Sequence, residues 1–138
     1  MTDIGFVGLG KLGYPIAAMM AASGHNVIGT DVDSYALNHE RKLFKEAGLK
    51  SGHTFSMIQE KAKPQMIFTQ QMNFLVARSS IIFVAVQTPH QPEFGGTEPL
   101  PEKRADFDYR HLIEACQQIR EAINAQPSLP RYAGPTIA

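Results

Sequence analysis

With 138 residues, the chain has the length of one domain and enough apolar material to bury a proper core. Its 13 lysines and arginines balance 13 aspartates and glutamates, which excludes a net field for nucleic acid or a charged membrane surface. No apolar run approaches the roughly 20 residues that cross a bilayer, and the N-terminus opens on a strand instead of a signal peptide. No membrane partner and a cytoplasmic location are therefore expected.

The first element is a short apolar strand, Asp3–Val7, that runs directly into Gly8-Leu9-Gly10-Lys11-Leu12-Gly13, a G-x-G-x-x-G spacing. Three glycines at this spacing recur by chance in loops, so their flanks decide the reading. Residues 12–22, rich in alanine and methionine, read as a helix closed by Ser23-Gly24, with Pro15 in the first turn, where its missing N–H costs little. A strand, this turn and a helix together point to a dinucleotide site. Gly8 turns the chain tightly, Gly10 lets bare backbone approach a pyrophosphate, and Gly13 lets the helix pack close to the sheet. The helix that opens here would aim unpaired N–H groups and the positive end of its dipole at the phosphates, so Lys11 and Leu12 are counted with the glycines as cofactor-binding.

A second strand, Asn26–Thr30, ends in Asp31, at roughly the 20-residue distance where an acidic side chain grips the adenosine ribose hydroxyls. Asp31 would repel a 2′-phosphate, and Val32, Asp33 and Ser34 offer no arginine to receive one, so NAD is expected over NADP. Asp33 is read as the N-cap of a helix over residues 34–45, and a further helix over 54–61 follows Gly48 and Ser51-Gly52. Pro64 interrupts the pattern, Met66–Phe68 make a short third strand, and residues 70–78 read as helix.

Residues 81–86 form the most apolar run of the chain and read as a central strand buried on both faces. The run ends in Val86, followed by Gln87-Thr88-Pro89 and a long segment to about residue 105 that carries Pro92, Gly95, Gly96, Pro99 and Pro101. That segment leaves the carboxyl end of a parallel strand, where ligands bind in open α/β sheets, so Val86 and Thr88 are placed against the cofactor. His90 reads as a solvated loop residue.

Tyr109, Leu112, Ile113, Cys116, Ile119 and Ile123 recur at the spacing of one buried helix face, which makes Cys116 a small core residue. It is the only cysteine, so no intramolecular disulfide or thiolate cluster forms, and the five histidines show no paired spacing. No metal is expected. Strand and helix alternate throughout, which implies an α/β fold of the Rossmann type, a parallel sheet with right-handed crossovers and helices on both faces. The expected strand order is 3-2-1-4, truncated before strand 5 of a full dinucleotide fold. Its open edge would invite a homo-oligomer, or residues 136–138 would serve as a stub of strand five.

These motifs carry a resemblance to the NAD-binding domain of the UDP-glucose/GDP-mannose dehydrogenase family. The chain is similar in Gly8-Leu9-Gly10-x-x-Gly13 with Pro15 two residues later, in Gly24-His25-x-Val27, and in Asp31-x-Asp33. Phe44-Lys45-Glu46-Ala47-Gly48-Leu49 resembles the family's Y-E-P-G-L segment, Val86-Gln87-Thr88-Pro89 its V-x-T-P strand end, and Asp106-Phe107-Asp108-Tyr109 its D-L-S-Y helix start. Lys11, Ala47 and an enlarged loop after Pro89 depart from the pattern and leave the nucleotide motif intact. The resemblance implies NAD as cofactor and oxidation of the C6 alcohol of a nucleotide sugar to a carboxylate. It also implies that the nucleotide sugar and the nucleophilic cysteine belong to a second domain, so residues 1–138 are expected to form an incomplete NAD-binding module with no catalytic residue of their own.

Two other readings stay open at this level. A β-hydroxyacid dehydrogenase domain begins with a similar Gly-Leu-Gly motif, but the long loop after Thr88-Pro89 and the Glu46-Ala47-Gly48-Leu49 segment weigh against it. A non-catalytic dinucleotide sensor or assembly partner would be marked by a defined binding partner.

Overall fold

The structure, a computed structural model, describes residues 2–41, 54–89, 108–126 and 136–138. Five strands form one parallel sheet in the order β3-β2-β1-β4-β5: β1 Asp3–Val7, β2 Asn26–Thr30, β3 Met66–Phe68, β4 Ile81–Val84 and β5 Thr136–Ile137. Four helices accompany it among the described residues, α1 Gly13–Ala22, α2 Phe55–Ala62, α3 Met72–Arg78 and α4 Arg110–Asn124.

Alternation along β1 distributes its side chains between two cores. Ile4 and Phe6 join Val27, Met66 and the alanines Ala17, Ala18 and Ala21 of α1 on one face. Val7 joins Ile28, Ile82, Leu75 and Val76 of α3, and Ala115, Ile119 and Ala122 of α4 on the other. Gly5 lies under α3, where an added Cβ would come within 2.8 Å of a Leu75 methyl and 2.6 Å of the Ser79 hydroxyl. Helix and sheet therefore approach as closely as a bare backbone allows.

The middle strand is β1, and β4 lies beside it inside the sheet, between β1 and β5, without the expected full burial. Residues Ile4 to Val7 are all buried between β2 and β4, whereas only Ile82 of β4 is fully buried. The expected strand over 81–86 ends at Val84; the Ala85 N–H makes a last bond to the Val7 carbonyl, and the chain then leaves the sheet. Of the two outcomes expected at the β4 edge, the stub of a fifth strand at residues 136–138 is the one observed. Thr136 pairs with Ile81 and Ile137 with Ile82, and the Ala138 N–H reaches the Ile82 carbonyl at 2.6 Å.

A long helix after β2 is absent from the described part of residues 34–45. A single 3-10 turn, Ser34–Ala36, is capped by Asp33, whose carboxylate accepts from the Tyr35 N–H, and the chain then runs irregularly to Arg41. The reason is competition for backbone groups: the Asn38 side chain takes the Glu40 N–H, and the Tyr14 hydroxyl takes the Asn38 and His39 carbonyls. Residues 42–53 and 90–107, with the Phe44 to Leu49 segment, His90 and most of the long loop, lie outside the described residues.

The α4 face overlaps the expected one at Ile119, which is fully buried, and at the half-buried Leu112 and Ile123, but its other buried positions differ. Ala115, Ile119 and Ala122 are buried, while Cys116 is exposed and Ile113 is 54% exposed. Both phases satisfy helical spacing, but the phase with two alanines lets α4 approach α3, where Leu75 and Val76 are fully buried. Cys116 is thus a surface thiol.

Candidate cofactor site

The three glycines of the loop after β1 sit in three different surroundings. Gly8 has a φ of +98°, and a Cβ there would lie 2.5 Å from the Ala85 carbonyl oxygen. At Gly13 a Cβ would lie 2.2 Å from the Gly8 carbonyl oxygen, so α1 starts hard against the strand end. Around Gly10 a Cβ would meet no protein atom within 4 Å. Packing therefore accounts for the first and third glycines, and open space beside the loop for the second.

Gly10 lines a cavity of about 650 Å³ at the carboxyl ends of β1, β2 and β4. Its size lies within the ordinary range of cofactor sites. Of the residues the sequence singles out, Gly8, Gly10, Asp31 and Val86 form part of its wall. Gly13 is buried behind the loop. Lys11, Leu12 and Thr88 are exposed and stand outside this wall, Leu12 with 69% of its surface free.

Asp31 is held in place from two sides. Its Oδ2 accepts from the Leu9 N–H at 2.7 Å and its Oδ1 from the Asp33 N–H at 2.9 Å, while the Gly8 N–H bonds to the Thr30 carbonyl at 2.9 Å. The carboxylate is thus fixed beside the glycine loop, and each oxygen keeps a lone pair for a ligand hydroxyl. Leu9 itself is fully buried in the core under Gly29, which anchors the loop from below. At the start of α1, Leu12 provides no side-chain cap and the first turn holds no acidic residue, an arrangement open to an anion.

Sequence reasoning missed the remaining walls. Arg41 lies in the wall although Val32, Asp33 and Ser34 offer no arginine, so the rim near Asp31 does carry a cation. Its guanidinium donates to the Leu9 carbonyl and stands 5.3 Å from the Tyr14 ring centre. Nothing in the local sequence signals this, because the segment was expected to be helical. His111, Glu114, Ala115 and Gln118 of α4 close the opposite side. Their spacing is legible as one helix face, but the choice of phase depends on α3. Among the described residues there is no group of three or more histidine, cysteine, aspartate or glutamate side chains able to hold a metal ion. No helix among them is long and apolar enough to cross a membrane.

The parallel sheet, the glycine loop and an acidic residue at the end of β2 fit a dinucleotide. Comparison with known proteins gives the same answer. Residues 2–129 match the UDP-glucose/GDP-mannose dehydrogenase family, NAD binding domain. The chain is 28% identical over 123 residues to a GDP-mannose 6-dehydrogenase of Pseudomonas aeruginosa, a match covering 87% of this chain and 25% of that protein. Among solved structures, a ternary complex of GDP-mannose dehydrogenase from Pseudomonas aeruginosa aligns with a TM-score of 0.68 and 26% identity, over 89% of this chain and 26% of the other. A UDP-glucose dehydrogenase from Pyrobaculum islandicum shares the fold with a TM-score of 0.70 at 24% identity, over 91% and 26% of the two chains. The chain thus spans about a quarter of the length of these relatives. It belongs to the UDP-glucose/GDP-mannose dehydrogenase family and carries the family's NAD-binding domain.

Proposed function

We propose that the cavity at the carboxyl ends of β1, β2 and β4 binds NAD as the cofactor-binding part of a nucleotide-sugar dehydrogenase. The pyrophosphate lies over Gly8 and Gly10 against the backbone of Lys11 and Leu12, the adenosine ribose hydroxyls donate to Asp31, and Val86 and Thr88 border the cofactor. Membership of the UDP-glucose/GDP-mannose dehydrogenase family and the similarity to a GDP-mannose 6-dehydrogenase support a nucleotide sugar as substrate, whose C6 alcohol would give up hydride to the nicotinamide. NAD supplies that redox chemistry; the chain's own part is to bind and orient it. No described side chain is assigned a catalytic role.

The observation that carries this reading is the fixed Asp31 carboxylate in the cavity wall, 2.7 Å from the Leu9 N–H of the glycine loop. A carboxylate so placed accepts two ribose hydroxyls and opposes a 2′-phosphate. Calorimetric titration of the chain with NAD and with NADP tests it. NAD is expected to bind more tightly than NADP, and Asp31→Ala to weaken NAD by roughly tenfold or more, as loss of a charge-assisted hydrogen bond does. No heat with NAD, or an Asp31→Ala variant that binds NAD unchanged, would overturn the reading.

A further inference from the structure

The segment that leaves β2 folds back over the start of α1 and is fastened there. Tyr14, 1% exposed, donates its hydroxyl to the Asn38 carbonyl at 2.9 Å and accepts from Gln59 Nε2 at 3.1 Å. Gln59 Nε2, on α2, also donates to the Arg41 carbonyl at 2.7 Å. The Arg41 backbone is thereby held, and its side chain crosses the Tyr14 ring to reach the Leu9 carbonyl. Leu9 is the residue whose N–H bonds to Asp31. A carboxylate and a guanidinium therefore grip one peptide residue of the glycine loop, the first through its N–H and the second through its C=O, and both side chains stand in the cavity wall.

Of the five N–H donors of a guanidinium, the bond to Leu9 uses one among the described residues. A planar cation with donors to spare, in the same cavity wall as the carboxylate that takes the ribose hydroxyls, is the chemistry that receives a ribose phosphate. We propose that Arg41 is a cofactor-selecting residue that meets the 2′ position of the adenosine ribose and offsets the repulsion of a 2′-phosphate by Asp31. The chain consequently accepts NADP as a second, weaker cofactor, and Arg41 sets the size of the gap between the two. This inference rests on the cavity being the NAD site proposed above.

The role differs from mere fastening of the loop. A fastener supports both dinucleotides equally, whereas a phosphate-reading cation acts on one. The test is calorimetry with NAD and NADP on the unaltered chain, Arg41→Ala and Arg41→Lys, with circular dichroism to compare their folding. NADP is expected to bind the unaltered chain measurably at millimolar concentration. Arg41→Ala should weaken NADP by roughly tenfold more than NAD, as removal of a charge-assisted contact to phosphate does, and Arg41→Lys should recover part of the difference. Equal losses for both cofactors, or no measurable NADP binding to the unaltered chain, would overturn the selecting role while leaving the NAD site standing. If Arg41→Ala is misfolded, Arg41→Lys alone decides: an unchanged ratio of affinities overturns the proposal, and a shifted ratio supports it. An unaltered chain that binds neither dinucleotide refutes the site itself and this inference with it.

Discussion

Gly10 and Gly13 stand three residues apart in one motif, yet the structure holds them for opposite reasons. At Gly13 the protein itself fills the space a side chain would need, with the Gly8 carbonyl 2.2 Å from the position of a Cβ. Beside Gly10 the protein leaves the space open, and Gly10 itself lines the cavity. One glycine keeps α1 against the sheet, and the other leaves room for a ligand. A single sequence motif thus encodes two separable requirements, stability and binding, and substitution should separate them.

The largest effect is expected at Gly13. Gly13→Ala must push α1 away from the end of β1, against backbone that cannot yield, and should cost about 3 kcal/mol or more, the upper end of overpacking penalties. Denaturant unfolding measures this, and NAD binding should fall with the fold. A variant of unchanged midpoint would show that the two glycines are not distinct after all. Gly10→Val should instead remove NAD binding while stability stays within about 0.5 kcal/mol of the unaltered chain, the usual range for a substitution that touches nothing. Retained NAD affinity would mean that the pyrophosphate lies elsewhere.

Tyr14 offers an intermediate case, because it joins the fold to the rim of the site. Burial pushes its phenol above the ordinary value, opposed by the hydrogen bond from Gln59 and by the charges of Arg41 and Lys63. Tyr14→Phe keeps the ring under Arg41 but leaves the carbonyls of Asn38 and His39 without this donor. A loss of about 0.5–1.5 kcal/mol is expected, the net value of an ordinary hydrogen bond at carbonyls that water can reach, visible as a lowered melting temperature. An unchanged melting temperature would show that the segment after β2 is not held by this hydroxyl.

The smallest effect is expected at the start of α4. Asp108 accepts from the Arg110 guanidinium at 2.6 Å and from its backbone N–H, and these bonds lower its pKa from 3.8 to about 2. A depressed folded-state pKa favours the folded chain above pH 3.8, and that small contribution is lost as pH falls through about 2. The pair is at the surface, so the expected signature is an NMR titration midpoint near 2 that returns to the ordinary carboxylate range in Arg110→Ala. A midpoint already in that range before substitution would contradict the geometry.

The half of the site built from contiguous chain was legible in the sequence. Strands β1 and β2, the glycine spacing and Asp31 depend on short-range rules, and the structure brings Gly8, Gly10 and Asp31 into one wall. The half built by packing was not. Arg41 reaches Leu9 only because Tyr14 and Gln59 capture the backbone between Asn38 and Arg41, a tertiary event that overrides the helical pattern. In α4 the hydrophobic period was visible, but part of its face was misread because small alanines, not the larger Ile113 and Tyr109, face α3. Apolarity likewise favoured full burial of residues 81–86, although the middle place in the sheet is set by pairing order and belongs to β1.

The crystal structure of the chain grown with NAD is the most direct test of the central claim, that the space left open at Gly10 is the pyrophosphate site. The account predicts phosphate oxygens within hydrogen-bonding distance of the loop backbone at residues 10–12, and ribose hydroxyls on the Asp31 carboxylate. A dinucleotide seated outside this cavity, or with its pyrophosphate away from Gly10, would contradict it.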